Sequence, residues 1–196
     1  MEENKKEFDI EEKEVIEENT KKKSAKSEFL EWIQAIVIAV VLALIIRSFV
    51  FTVVRVDGQS MEPTLTHKDR MIFWRVNYEP VHGDIVIFNP EGYDDNVYWV
   101  KRVIGTEGQN VRIDYSQNAV YVDGEKIDEP YLGEPMIGQG TIREIDIPED
   151  HVFVMGDNRN HSTDGRIIGA IPKDSIIGRA VVRFWPMNEF KIYTRK

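Results

Sequence analysis

The chain has no cysteine among its 196 residues. That excludes disulfides, cysteine-ligated zinc and thiol catalysis together, so an exported domain here must rely on its own core. A basic stripe is also missing. Thirty-four acidic residues against 25 Lys and Arg leave a formal net charge of -9, which argues against nucleic-acid binding. No long amphipathic helical pattern follows residue 50, and no internal repeat is evident.

What is present begins with an apolar run. From Phe29 to Ile46 only Glu31 and Gln34 interrupt it, and apolar character resumes after Arg47 and Ser48. A spanning helix needs roughly 17–25 residues, so 29–50 reads as a transmembrane anchor with Trp32 in the interfacial belt. Apolar residues surround the whole circumference, unlike the stripe of a core helix. The segment Ile45-Ile46-Arg47-Ser48-Phe49-Val50 is too bulky and charged for a signal-peptide cleavage site. Lys21, Lys22, Lys23 and Lys26 precede the run, whereas Arg47 and Arg55 follow it. This bias predicts a cytoplasmic N-terminus and an extracytoplasmic main domain. Residues 1–28, rich in Glu and Lys, read as a solvated cytoplasmic tail.

Residues 51–196 change to short β-type runs: 51–56, 70–74, 84–88, 97–104, 151–155 and 176–185. Val111–Tyr115 and Ala119–Val122 flank Ser116-Gln117-Asn118 as a hairpin. The expected fold is mainly β, a partly closed antiparallel barrel-like core. Residues 106–150, with Gly, Pro and acidic residues between small strands, read as an inserted β subdomain.

Ser60 lies between flexible Gly58 and rigid Pro63. A serine on such a turn can present its hydroxyl while its own N–H points into the same space, where it can stabilise an oxyanion. Alone it is equally an ordinary turn serine. Lys101 changes the balance. In an extended strand it shares a face with Trp99 and Val103, opposite Val100, Arg102 and Ile104. Such a lysine is open to desolvation, which lowers its pKa, though it could also snorkel to solvent. To act as a base near neutrality it must fall about three units from ~10.4.

Three ordered segments carry a family resemblance. Ser60-Met61-Glu62-Pro63-Thr64-Leu65 matches the box S-M-x-P-T-L, and Lys101-Arg102-Val103-Ile104-Gly105 matches a general-base box. Gly156-Asp157-Asn158-Arg159, then Ser162, Asp164, Arg166 and Gly169, match G-D-N-R-x-x-S-x-D-x-R-x-x-G, and Gly83–Phe88 resembles a structural strand box. The chain thus resembles bacterial type I signal peptidases, of the Gram-positive-like branch. The resemblance implies a serine endopeptidase that removes signal peptides after small P1 and P3 residues. Ser60 would be nucleophile and backbone oxyanion donor, and Lys101 the base. Ser162 would hydrogen-bond the Lys101 amine, while Asp157, Arg159, Asp164 and Arg166 would shape the loop through ion pairs and hydrogen bonds. For Arg159 a solvated charged loop stays open as the alternative. Val54, Val56, Met61, Leu65 and Val100 are the expected substrate-lining residues. No cofactor and no metal is expected. The implied partners are secretory preproteins and the bilayer, with the protein a monomer. Three positions depart from the family: Gly58 stands where some members place a second oxyanion serine, Glu107-Gly108-Gln109 replaces Pro-Gly-Asp, and Gly165 replaces a serine.

Other readings are a specialist pilin- or sortase-linked peptidase and a non-catalytic anchored assembly chaperone. His67, His82, His151 or His161 could act as base in a Ser-His enzyme, but the Ser-Lys set makes them redundant. A calcium loop at Asn160, Ser162, Asp164 and Gly165 lacks its terminal glutamate, since that position is Ile171.

Overall fold

The computed structural model describes residues 25–92, 97–138 and 140–195. Most of the expected tail, through residue 24, lies outside the described residues. Residues 25–28 are helical, because the first helix, α1 (Ala25–Phe49), begins four residues before the predicted anchor. Ala25, Lys26 and Glu28 are good helix formers, and Glu28 in the first turn complements the helix dipole. The 19 residues Glu28–Ile46 are long and apolar enough to cross a membrane, and none is buried within the chain. The chain divides into one compact unit ending at Ile46 and another starting at Arg47.

The second unit is mainly β. Its strands are β1 (Phe51–Arg55), β2 (Arg70–Trp74), β3 (Ile85–Phe88), β4 (Trp99–Thr106), β5 (Asn110–Asp114), β6 (Ala119–Val122), β7 (Glu125–Lys126), β8 (Glu144–Asp146), β9 (His151–Met155), β10 (Ile171–Pro172), β11 (Ile176–Trp185) and β12 (Lys191–Ile192). Eight form one antiparallel sheet in the order β1-β2-β11-β3-β4-β9-β10, with β12 on β11; the other four form a second sheet, β7-β6-β5-β8. Register shifts interrupt β11 against both β2 and β3, and β4 against β9. Such bulges sharpen twist and bend strands, which curls the sheet toward a half-barrel.

Burial explains the alternation. Val86, Phe88 and Val103 fill one face of the main sheet, and Met71, Phe73 and Ile87 the other. The hairpin β5–β6 sits on the outside of β4 and β9, where Val111, Ile113 and Val120 pack with Ile104, Phe153 and Met155. Burying each such side chain contributes roughly 1.5–3 kcal/mol. The second sheet is therefore fixed to the two strands that carry the lysine and lead into the Ser162 loop.

Candidate active site

The turn that presents Ser60 is held from below. Met61 and Leu65 are 1% and 0% exposed, and the Leu65 N–H donates to the Met61 carbonyl at 2.9 Å. Spaced four residues apart, they plug one helical turn into the core. Val56 is buried in the same cluster, while Val54 and Val100 pack at its edge and remain partly exposed. Val56, Met61 and Leu65, three of the five expected substrate-lining residues, anchor the nucleophile turn and are 5%, 1% and 0% exposed. Val54 and Val100 are the two of the five left accessible.

Lys101 is 4% exposed, and its Nζ lies 2.8 Å from Ser60 Oγ and 3.2 Å from the Val100 carbonyl oxygen. Nζ also sits 5.4 Å from the Trp99 ring centre, as the shared strand face required. Burial pushes the lysine down to about 8; Asp164 and Asp157 pull it back up, and Arg166 adds to the fall. No internal hydrogen bond occupies the Ser60 N–H among the described residues, so that donor is free beside Oγ.

The loop after β9 closes the site. The Asn158 N–H donates to the Ser60 carbonyl at 3.0 Å. A Cβ built on Gly156 would lie 2.2 Å from Ser162 Oγ and 2.4 Å from the Ser60 carbonyl oxygen, so only glycine allows this approach. Asp157 takes two bonds from Arg102, Nε at 2.8 Å and Nη2 at 2.6 Å, and accepts a short bond from the Thr64 hydroxyl. It ties the base strand, the nucleophile turn and the loop together. Asp164 accepts from the Gly156 N–H and from Arg166 Nε and Nη2, each at 2.9 Å. Burial pushes the Asp164 carboxyl up, but Arg166 and the Gly156 N–H outweigh it and hold the carboxyl below its usual range.

The chain matches the profile of the family described as signal peptidase, peptidase S26, over residues 29–185. The chain belongs to that family. A signal peptidase I of Bacillus licheniformis is 40% identical over 183 residues, covering 87% of this chain and 96% of that protein. A probable signal peptidase I-2 of Synechocystis is 38% identical over 190 residues, covering 92% and 85%, and a signal peptidase IB of Staphylococcus aureus is 36% identical over 185 residues, covering 85% and 94%. A solved signal peptidase I of Enterococcus faecalis aligns over 52% of this chain and 97% of its own, with 25% identity and a TM-score of 0.44.

Within this S26 site, Ser162 differs from expectation. Its Oγ is buried without a hydrogen-bond partner, and Lys101 Nζ bonds Ser60 and Val100 instead. The three departures from the family's boxes have local reasons. Gly58 has φ +95°, in the left-handed region that favours glycine, with open space where a side chain would go. At Gly165 a Cβ would meet the Val154 carbonyl oxygen at 2.7 Å, so glycine permits the packing of the short helix α2 (Gly165–Ile168) on β9. In the β4–β5 turn, the Gln109 side chain accepts from the Thr106 N–H at 3.0 Å and donates to Asp123 at 2.9 Å, closing the turn without Pro-Gly-Asp.

Of the two readings left open for Arg159, the structure has the ion-paired one: it is 1% exposed and paired with Glu129 from the segment after β7. Neither Glu129 nor its neighbour Tyr131 carried a sequence signal, because the partners sit 30 positions apart in an irregular stretch. None of the four histidines hydrogen-bonds Ser60; His82 Nδ1 meets the Ile104 carbonyl, His151 Nδ1 that of Glu149, and His67 lies beside Asp57 and the Gly58 N–H.

Proposed function

We propose that this chain is a membrane-anchored serine endopeptidase that removes N-terminal signal peptides from exported preproteins, with Ser60 as nucleophile and Lys101 as general base. The observation that carries this reading is the 2.8 Å contact between Ser60 Oγ and a Lys101 amine that is 4% exposed. With Lys101 neutral, the Ser60 hydroxyl donates along that line to the Nζ lone pair. Oγ attacks the carbonyl carbon of the last signal-peptide residue, and the proton passes to Nζ. The Ser60 N–H faces the oxyanion. As the tetrahedral adduct collapses, Lys101 returns its proton to the leaving amine, which becomes the new N-terminus of the mature protein. A water then gives a proton to Lys101 and attacks the acyl-Ser60 ester; as that adduct collapses, Lys101 returns the proton to Ser60 Oγ and the signal peptide leaves.

Strand β1 ends the main sheet, with β2 on one side only among the described residues. An extended substrate adds there as a further strand, pairing backbone to backbone. Val54 and Val100, at the rim of the apolar cluster, suit small P1 and P3 side chains. Helix α1 spans the membrane with the lysine-rich end inside, which places the peptidase unit outside, and the protein works as a monomer.

The test is incubation of detergent-solubilised protein with a preprotein bearing an A-x-A site, beside Ser60→Ala and Lys101→Ala, with product mapping by mass spectrometry. A cut after the small P1 residue that is lost in both variants supports the reading. A cut that survives Lys101→Ala overturns the assignment of the base.

A further inference from the structure

The inserted segment between β7 and β8 does more than extend the second sheet. Glu129, Glu134, Met136 and Ile137 reach the loop that packs against Ser60. Glu129 faces Arg159, taking a bond from Nη1 at 3.2 Å and a short one from Nη2. The remaining face of that guanidinium is used as well: Nε donates to the Gly156 carbonyl at 3.1 Å, and Nη1 lies 3.4 Å from Met136 Sδ. Tyr131 donates its hydroxyl to Glu129 at 2.9 Å, and its ring lies 3.9 Å from the Arg102 guanidinium. Glu134 accepts from the Asn160 amide at 2.8 Å, while the Ile137 N–H donates to the Asn160 oxygen at 2.7 Å.

These contacts converge on two points of the active site. Arg159 holds the carbonyl of Gly156, whose Cα is wedged between the Ser60 carbonyl and Ser162 Oγ. Tyr131 backs Arg102, which grips Asp157 and follows Lys101 in the chain. The Gly156 contact leaves no room for drift, since any inward shift meets backbone. A guanidinium this deeply buried is costly unless paired, so without Glu129 it has to leave its place or go uncompensated.

We propose that Glu129 is a positioning residue: through Arg159 it sets the Gly156 loop and thereby the alignment of Ser60 with Lys101, which makes the inserted segment part of the catalytic apparatus. The proposal rests on the Ser60–Lys101 reading. Misplacing reacting groups by about 1 Å can cost up to roughly a hundredfold in rate, so a loosened clamp should appear in the chemical step.

The test uses the full chain in detergent–lipid micelles with the same A-x-A preprotein. Glu129→Gln keeps the shape and removes the charge. Arg159→Lys keeps a charge for Glu129 but cannot also hold the Gly156 carbonyl. Each is expected to lower kcat about tenfold with KM changed less than about twofold, because the substrate edge at β1 is untouched. The acid limb of the pH–rate profile should move to higher pH in both, as water reaches a less closely held Lys101. A merely structural role would not move that limb. The double variant should lose no more than the worse single one, since both act through one contact. Unchanged kcat and limb in Glu129→Gln, or losses that multiply in the double variant, overturn the proposal. If Glu129→Gln does not fold, Arg159→Lys and Tyr131→Phe decide it: kcat and limb unmoved in both reject the clamp, and a moved limb in either supports it. Lys101→Ala, run alongside, separates the two ideas: activity surviving in it removes the base itself, whereas its loss leaves Glu129 to be judged alone.

Discussion

Lys101 and Arg102 are neighbours in β4 and meet opposite electrostatic surroundings. Lys101 is packed against Trp99 with only Ser60 Oγ and a carbonyl in reach, and burial lowers its pKa to about 8. Arg102, on the other face, is buried too, but the two bonds from Asp157 outweigh burial and keep it charged. One strand thus carries a weakened cation beside a firm one.

The first expected consequence concerns the pH–rate profile. A base must be deprotonated, so kcat/KM should rise with pH through about 8 and level off above it. At pH 7 roughly a tenth of the plateau should remain. Initial rates on an A-x-A substrate from pH 6 to 10 check this; a flat profile over that range would sink the role of Lys101.

Stability should carry a second mark of the same shift. Because the folded state holds Lys101 at about 8 and the unfolded chain near 10.5, the unfolded state binds the extra proton between those values, and stability rises with pH across that window. Lys101→Met removes the cost of a buried ammonium. It should stabilise the peptidase at pH 7 by roughly 2–3 kcal/mol, a gain that fades as pH climbs from 8 toward 10.5. Denaturant midpoints of the two proteins at pH 7 and pH 10 give the comparison.

Asp157→Asn should behave differently. It leaves Arg102 buried without its carboxylate, which typically costs about 3–5 kcal/mol. Asp157 also raises the pKa of Lys101, so its removal should move the acid limb of any remaining activity to lower pH. A stable variant with an unmoved limb would contradict both parts.

Ser162→Ala offers a sharper test of the resting geometry. The Ser162 hydroxyl is buried and unpartnered, so deleting it should leave stability unchanged or raise it by up to ~1 kcal/mol. A loss above about 2 kcal/mol would show that the hydroxyl is hydrogen-bonded in solution.

That Ser60, Lys101 and the 156–166 loop belong to one site was legible in the sequence, because they sit in ordered segments that carry the family resemblance, and the fold brings them together. The face of β4 followed from strand alternation alone: Trp99 and Lys101 do share a side. What could not be read is whatever depends on distant pairing. The depth of Met61 and Leu65 is one such feature, since a hydrophobic side chain beside a nucleophile has the same letter whatever its burial. Which acid pairs Arg159 could not be read, because its partner, Glu129, lies in another sheet's loop. The short strands β8, β10 and β12 have two or three residues each and are made by their neighbours, not by local preference.

Strand β1 closes the account. Its outer edge carries backbone groups that no described strand satisfies. For most proteins such an edge is an aggregation hazard. Under the proposed strand addition it also sorts clients by their state of folding: a finished domain has already committed its amides and carbonyls internally and has nothing to offer, whereas a chain still extended does. On that reading the protease needs no device to spare mature secreted proteins, since folding itself withdraws them from its reach.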